Sequence, residues 1–206
     1  RELGAGPAMV GLVTGASTLT GIFLKMPAGV LSDQLGRRPL LLAGAMVFAL
    51  MPATYLAVRS LALLVLLRAL HGSATAIFGP AASATVSDLA PSSQRGAWMS
   101  AYATAQGTGQ AFGPVLAGYL LVGGGFERAF IVAALIGLAV PAILARWSPP
   151  QHPGVPAVRW TAFKSGLLEV VGHRLVLITS MAHAAQFVLN GALNAFVPLY
   201  GREVVG

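Results

Sequence analysis

The chain has 206 residues, of which 56% are hydrophobic and only 9% charged, with a formal net charge of +7 and no cysteine. An ordinary soluble domain carries roughly 25% charged residues, so this composition excludes a water-soluble fold, and the lack of cysteine excludes a disulfide framework, a thiolate metal site and a cysteine nucleophile. The basic residues stand singly or in pairs between apolar runs rather than on a continuous face, which excludes a nucleic-acid partner and leaves the lipid bilayer as the expected surroundings.

A membrane-spanning helix needs about 20 mostly apolar residues. Six stretches have that character, at approximately 8–31, 39–58, 61–89, 97–122, 126–147 and 174–200. The expected fold class is all-α, a polytopic membrane helical bundle. Ahead of the first stretch, Arg1-Glu2-Leu3-Gly4-Ala5-Gly6-Pro7 is polar, lacks an initial methionine and reads as an interhelical loop, so the chain is expected to be a fragment. Lys25, two turns before Asp33, is placed to snorkel to the headgroups.

The connection from the first stretch to the second, Gly29 to Leu41, reads Gly-Val-Leu-Ser-Asp-Gln-Leu-Gly-Arg-Arg-Pro-Leu-Leu. It sets Asp33 one helical turn before Arg37, with Arg38 alongside, and puts Gly29 and Gly36 where backbones can approach closely. In the third stretch, Leu64-Val-Leu-Leu-Arg68-Ala-Leu-His71-Gly72 carries Arg68 inside the span. An arginine at the bilayer centre costs about 2.5–3.5 kcal/mol, so Arg68 must face protein, water or the interface. Asp88 closes the same stretch, ahead of Leu-Ala-Pro-Ser-Ser-Gln-Arg95-Gly96.

The fourth stretch contains Gly109-Gln-Ala-Phe-Gly113-Pro114-Val-Leu-Ala117-Gly118. Glycines four apart let another helix pack closely, and Pro114 removes a backbone hydrogen bond and is expected to bend the span. Tyr102 and Gln106 form a polar pair on this stretch. From Ser148 to Pro156 the prolines cannot sustain a helix, so an extended linker is expected. Trp160, Phe163, Leu167, Leu168 and Val171 then recur at helical spacing, as in a short amphipathic helix lying in the membrane interface. On the sixth stretch His183, Gln186, Asn190 and Asn194 fall on one face, where they either line an aqueous cavity or hydrogen-bond neighbouring helices. His71 and His183 have no metal-ligand spacing, so neither a metal nor a cofactor is expected.

Orientation follows from the basic residues of alternate loops. Arg37, Arg38, Arg95, Arg146, Arg159, Lys164 and Arg174 fall on one side and outnumber Arg1, Arg59, Arg128 and Arg202 on the other. The first side is therefore expected to be cytoplasmic, and Trp98, Trp147 and Trp160 lie near that face as interfacial anchors.

The Gly29–Leu41 segment resembles the signature loop between helices two and three of the major facilitator superfamily, Gly-x-Leu-Ala-Asp-Arg-x-Gly-Arg-Lys-x-x-Leu, with Ser32, Gln34 and Arg38 replacing alanine, the first arginine and lysine. The segment around Arg68 is similar to the family's helix-four motif Leu-x-x-x-Arg-x-x-Gln-Gly-x-Gly-Ala-Ala, with His71 in place of glutamine and Ala74 and Thr75 in place of Gly-Ala. Gly109–Gly118 resembles the antiporter motif Gly-x-x-x-Gly-Pro-x-x-Gly-Gly, with Ala117 in place of one glycine.

The resemblance implies a twelve-helix bundle of which this chain covers helices two to seven. On that plan, residues 1–147 hold helices two to six of the N-terminal half, 148–173 the cytoplasmic linker with its interfacial helix, and 174–206 helix seven. An echo of Arg1-Glu2-Leu3-Gly4 in Arg202-Glu203-Val204-Val205-Gly206 agrees with two six-helix repeats. It further implies that Asp33, Arg37, Arg38 and Asp88 belong to a conformational charge cluster and that Arg68 lies near the central cavity with a part in proton coupling.

The function implied is secondary active transport of a small molecule by alternating access, of the efflux antiporter type, in the inner or plasma membrane, with protons as the candidate coupling ion. The alternatives are an uptake permease or symporter of a metabolite, and a non-transporting membrane receptor. An enzyme is not expected, since no Gly-x-Ser-x-Gly elbow occurs. Nor does a Gly-x-x-x-x-Gly-Lys-Ser/Thr loop, so a gradient rather than ATP is the expected energy source.

Overall fold

A computed structural model describes residues 7–147, 168, 169, 171–201 and 204. All the regular elements in it are helical: α1 (Pro7–Leu35), α2 (Arg37–Tyr55), α3 (Leu61–Leu89), a short 3-10 turn (Ser92–Gln94), α4 (Arg95–Arg146) and α5 (Arg174–Tyr200). The expected all-α class holds. Four helical runs among the described residues are long and apolar enough to cross a membrane, Arg37–Tyr55, Leu61–Leu89, Ser92–Arg146 and Arg174–Leu193.

The fourth and fifth expected spans form the single run α4, whose φ/ψ leave the helical range only at Gly125, with φ 66° and ψ −170°. Only glycine takes this conformation without cost. Arg128 braces the break by donating from Nη1 to the Gly123 carbonyl at 3.3 Å. The first arm, 95–124, starts beside Leu40, Leu41, Ala81 and Ala82, which Tyr102 contacts; the second arm, 126–146, returns to the same cluster through Leu144. The helix therefore reverses at one residue. The bend expected at Pro114 is not the place where the backbone departs from helix.

Helix contacts are set by small residues, as expected where lipid supplies no hydrophobic drive between helices. A Cβ on Gly72 of α3 would lie 2.1 Å from the Ser17 carbonyl oxygen of α1. One on Gly44 of α2 would lie 2.7 Å from Phe78 Cβ, and one on Gly137 in the second arm of α4 would lie 2.9 Å from Ala49 Cα. Ala45, Ala49, Ala74, Ala76 and Ala81 are buried at these crossings, while Phe23, Tyr119, Val122 and Phe187 are exposed. The first arm of α4 is exposed along most of its length, and α5 touches only α1 among the described elements.

Among the described residues, a Cβ on Gly29, Gly109, Gly113 or Gly118 would meet nothing within 4 Å, and the close crossings described here are at Gly72, Gly44 and Gly137. The expected linker and interfacial helix fall mostly outside the described residues, including Trp160, Phe163 and Leu167; Leu168 and Val171 are helical and exposed. The terminal echo also lies largely outside them, since residues 1–6, 202, 203, 205 and 206 are not described.

Candidate functional site

The charged end of the bundle is organised by one glycine. Gly36 is the single residue between α1 and α2, and its φ of 89° is open to glycine and disfavoured for any other residue. The reversal it makes brings Arg37, at the start of α2, back onto the last turn of α1. Arg37 Nη1 donates to Ser32 Oγ at 3.1 Å and to Asp33 Oδ1. Its Nε donates to Asp88 Oδ2, at the end of α3, at 3.2 Å. One guanidinium thus gathers acceptors from two helices that are far apart in sequence.

The burial of these groups grades their strength. Ser32 is 1% exposed, and the side chains of Arg37 and Asp88 are 21% and 29% exposed. The Asp33 side chain is 46% exposed and more strongly screened. The two acidic partners sit opposite a cation in the first turn of α2, where the helix macrodipole by itself disfavours positive charge. The carboxylates offset that penalty and join the ends of α1, α2 and α3.

Arg38 does not join this cluster, contrary to the expectation. It reaches across to the end of α4 and donates from Nη2 to the Ala145 carbonyl at 2.9 Å, while its buried Nε has no hydrogen-bond partner among the described residues. No carboxylate pairs with it among the described residues. The neighbouring positions 37 and 38 therefore serve different helix ends.

Arg68 and His71 come together toward the other end of the bundle, on the side of α3 that meets α2. The Arg68 guanidinium lies 5.5 Å from the centre of the Tyr55 ring, and its buried Nε has no hydrogen-bond partner among the described residues. Tyr55 Oη and His71 Nδ1 are 3.3 Å apart, and the two rings stack. Phe48 meets His71 edge-on, and Phe130 of the second arm of α4 lies 5.6 Å from Tyr55. Tyr55 was not singled out from sequence.

Tyr102 and Gln106 are brought together, with Gln106 Nε2 donating to Tyr102 Oη at 3.2 Å. His183, Gln186 and Asn190 are exposed on α5; His183 packs on Phe187 at 4.8 Å between ring centres. The Asn194 side chain is outside the described residues. Ser32, which stands where the motif has alanine, accepts a hydrogen bond from the Arg37 guanidinium.

A model of the Major Facilitator Superfamily matches residues 1–206, the whole chain. The chain belongs to the Major Facilitator Superfamily. Among curated superfamily members, it is 30% identical over 191 residues to the multidrug resistance protein MdtH of Aeromonas hydrophila, covering 89% of this chain and 46% of that one. It is 26% identical over 174 residues to a probable actinorhodin transporter of Streptomyces coelicolor, covering 81% and 30%. It is 34% identical over 115 residues to the MFS-type transporter ppzB of Metarhizium rileyi, covering 56% and 24%. The chain spans less than half the length of these superfamily relatives. Its fold is that of a partial superfamily helical bundle, and it is a multi-pass membrane protein.

Proposed function

We propose that the protein is a secondary active transporter that moves a small molecule across the membrane by alternating access, and that it works as an efflux antiporter. The observation that carries the reading is the bridge from Arg37 to Asp33 on α1 and Asp88 on α3. Charges that are partly dehydrated in one arrangement of a bundle and hydrated in another bias the equilibrium between the two, typically by about 1–3 kcal/mol. A cluster at one end of three helices is placed to hold that end closed. The export direction is supported by the glycine–proline segment Gly109–Gly118 and by relatives named as multidrug transporters. The charged end faces the cytoplasm in this reading, the membrane is the cell's inner or plasma membrane, and protons are the coupling ion.

The test is flux in proteoliposomes under an imposed proton gradient of either direction. Asp33→Asn preserves size while removing charge, so it should lower turnover far more than equilibrium binding, because only the conformational equilibrium loses a differential contact. Arg37→Ala should produce a similar defect, and the double variant should lose less than the sum of the singles, as expected for partners in one network. Wild-type flux in Asp33→Asn would remove the cluster from the mechanism, and inward-only flux would favour an uptake permease.

A further inference from the structure

The helix that precedes the 148–173 segment ends on a carbonyl that its own helical ladder cannot satisfy. Ala145 lies in the last turn of the second arm of α4, where carbonyls lack intrahelical partners. The residue four positions on, whose N–H would continue the ladder, is Pro149, and proline has no N–H. The Ala145 oxygen is nevertheless occupied, by Nη2 of Arg38 at 2.9 Å. A cation at a helix C-terminus is also favoured by the macrodipole. Arg38 is only partly exposed, and the bond from Nη2 to Ala145 is its one hydrogen bond among the described residues.

Arg38 directly follows Arg37, and both lie in the first turn of α2. The α2 backbone cannot rotate to withdraw Arg37 from Asp33 and Asp88 without also displacing Arg38. Farther along, the same pair of helices is pinned at Gly137 against Ala49 and at Phe130 against Tyr55. The Arg38 contact is thus the polar fastening at the charged end of an otherwise apolar seam.

We propose that Arg38 is a positioning residue that fastens the last turn of α4 to the α1–α2 turn, so that rearrangement of the Arg37 cluster is passed to the start of the segment leading to α5. This rests on the alternating-access reading of the cluster and adds an output for it. The experiment is hydrogen exchange of the full-length protein in nanodiscs, followed at the Trp147 amide, which donates to the Ile143 carbonyl at 3.1 Å in that last turn. The Ala90 amide, which donates to the Val86 carbonyl at 3.1 Å at the end of α3, is the control.

Arg38→Gln should speed exchange at Trp147 by about ten-fold, the scale set by losing one charge-assisted hydrogen bond, and leave Ala90 unchanged. Arg38→Lys, which keeps the charge without the planar fork, should give a smaller rise. Asp33→Asn should also speed Trp147, and the double variant Asp33→Asn/Arg38→Gln should exchange no faster than Arg38→Gln alone. Unchanged exchange in Arg38→Gln, equal acceleration at Ala90, or no response to Asp33→Asn would each overturn the proposal. Exchange needs no solute, so absent flux with this pattern intact would count against the transport reading alone.

Discussion

Gly72→Ala places a single methyl group into the crossing of α1 and α3. The new Cβ would lie 2.1 Å from the Ser17 carbonyl oxygen, 2.8 Å from its carbon and 2.9 Å from its Cα. Non-bonded heavy atoms rest at roughly 3.5–4.0 Å, so the nearest contact is short by about 1.4 Å. All three neighbours are backbone atoms, and no side-chain rotation relieves the overlap; the helices must separate. Overpacking of this kind costs about 1–3 kcal/mol and occasionally more. Against it stands the helix propensity of alanine over glycine, about 0.8–1.0 kcal/mol, so the net change runs from about zero to a loss of about 2 kcal/mol, and the 2.1 Å approach to unyielding backbone puts it toward the upper end. The same substitution at Gly109, with no neighbour within 4 Å, keeps only the propensity gain. The two variants should therefore shift the thermal unfolding midpoint of the detergent-solubilised protein in opposite directions, Gly72→Ala down and Gly109→Ala level or up. A Gly72→Ala protein as stable as the parent, or equal losses at both positions, would refute the packing argument.

Two other expectations are open to direct measurement. These 206 residues contain no cysteine, so single cysteines placed in them report topology: Ser60→Cys should react with an impermeant thiol reagent in intact cells, whereas Ser92→Cys should react only after permeabilisation, and the reverse pattern would invert the orientation. Asn190→Ala, on the exposed face of α5, should change substrate selectivity or apparent affinity by about ten-fold, the worth of one net hydrogen bond, while the unfolding midpoint holds; normal transport with a lowered midpoint would make Asn190 a helix-packing residue.

The spans were legible because hydrophobic length is a property of the sequence alone. The stretches at 61–89 and 174–200 coincide with α3 and α5, and those at 8–31 and 39–58 fall within a few residues of α1 and α2. The Arg37 contacts with Asp33 and Asp88 were legible through motif spacing, since an i, i+4 pair and an acidic helix end are written in sequence. What sequence left unread depends on which faces of the helices meet. Gly72, Gly44 and Gly137 look no different in sequence from Gly29 or Gly113, yet only the former lie at crossings. Arg38 was grouped with Arg37 by adjacency, but successive residues on a helix point about 100° apart and find different partners. Tyr55 was missed because its significance comes from Arg68 and His71 on another helix.

The one-residue reversals at Gly36 and Gly125 also bear on how the chain is made. A ribosome delivers helices in order, and a helix can wait in the insertion channel for its successor only if slack separates them. Between α1 and α2 there is one residue, and between the two arms of α4 there is one residue, whereas 56–60 and 90–94 leave several. The short turns thus tie α1 to α2, and the first arm of α4 to the second, as covalently coupled pairs, while α3 is joined to its neighbours by several residues on each side.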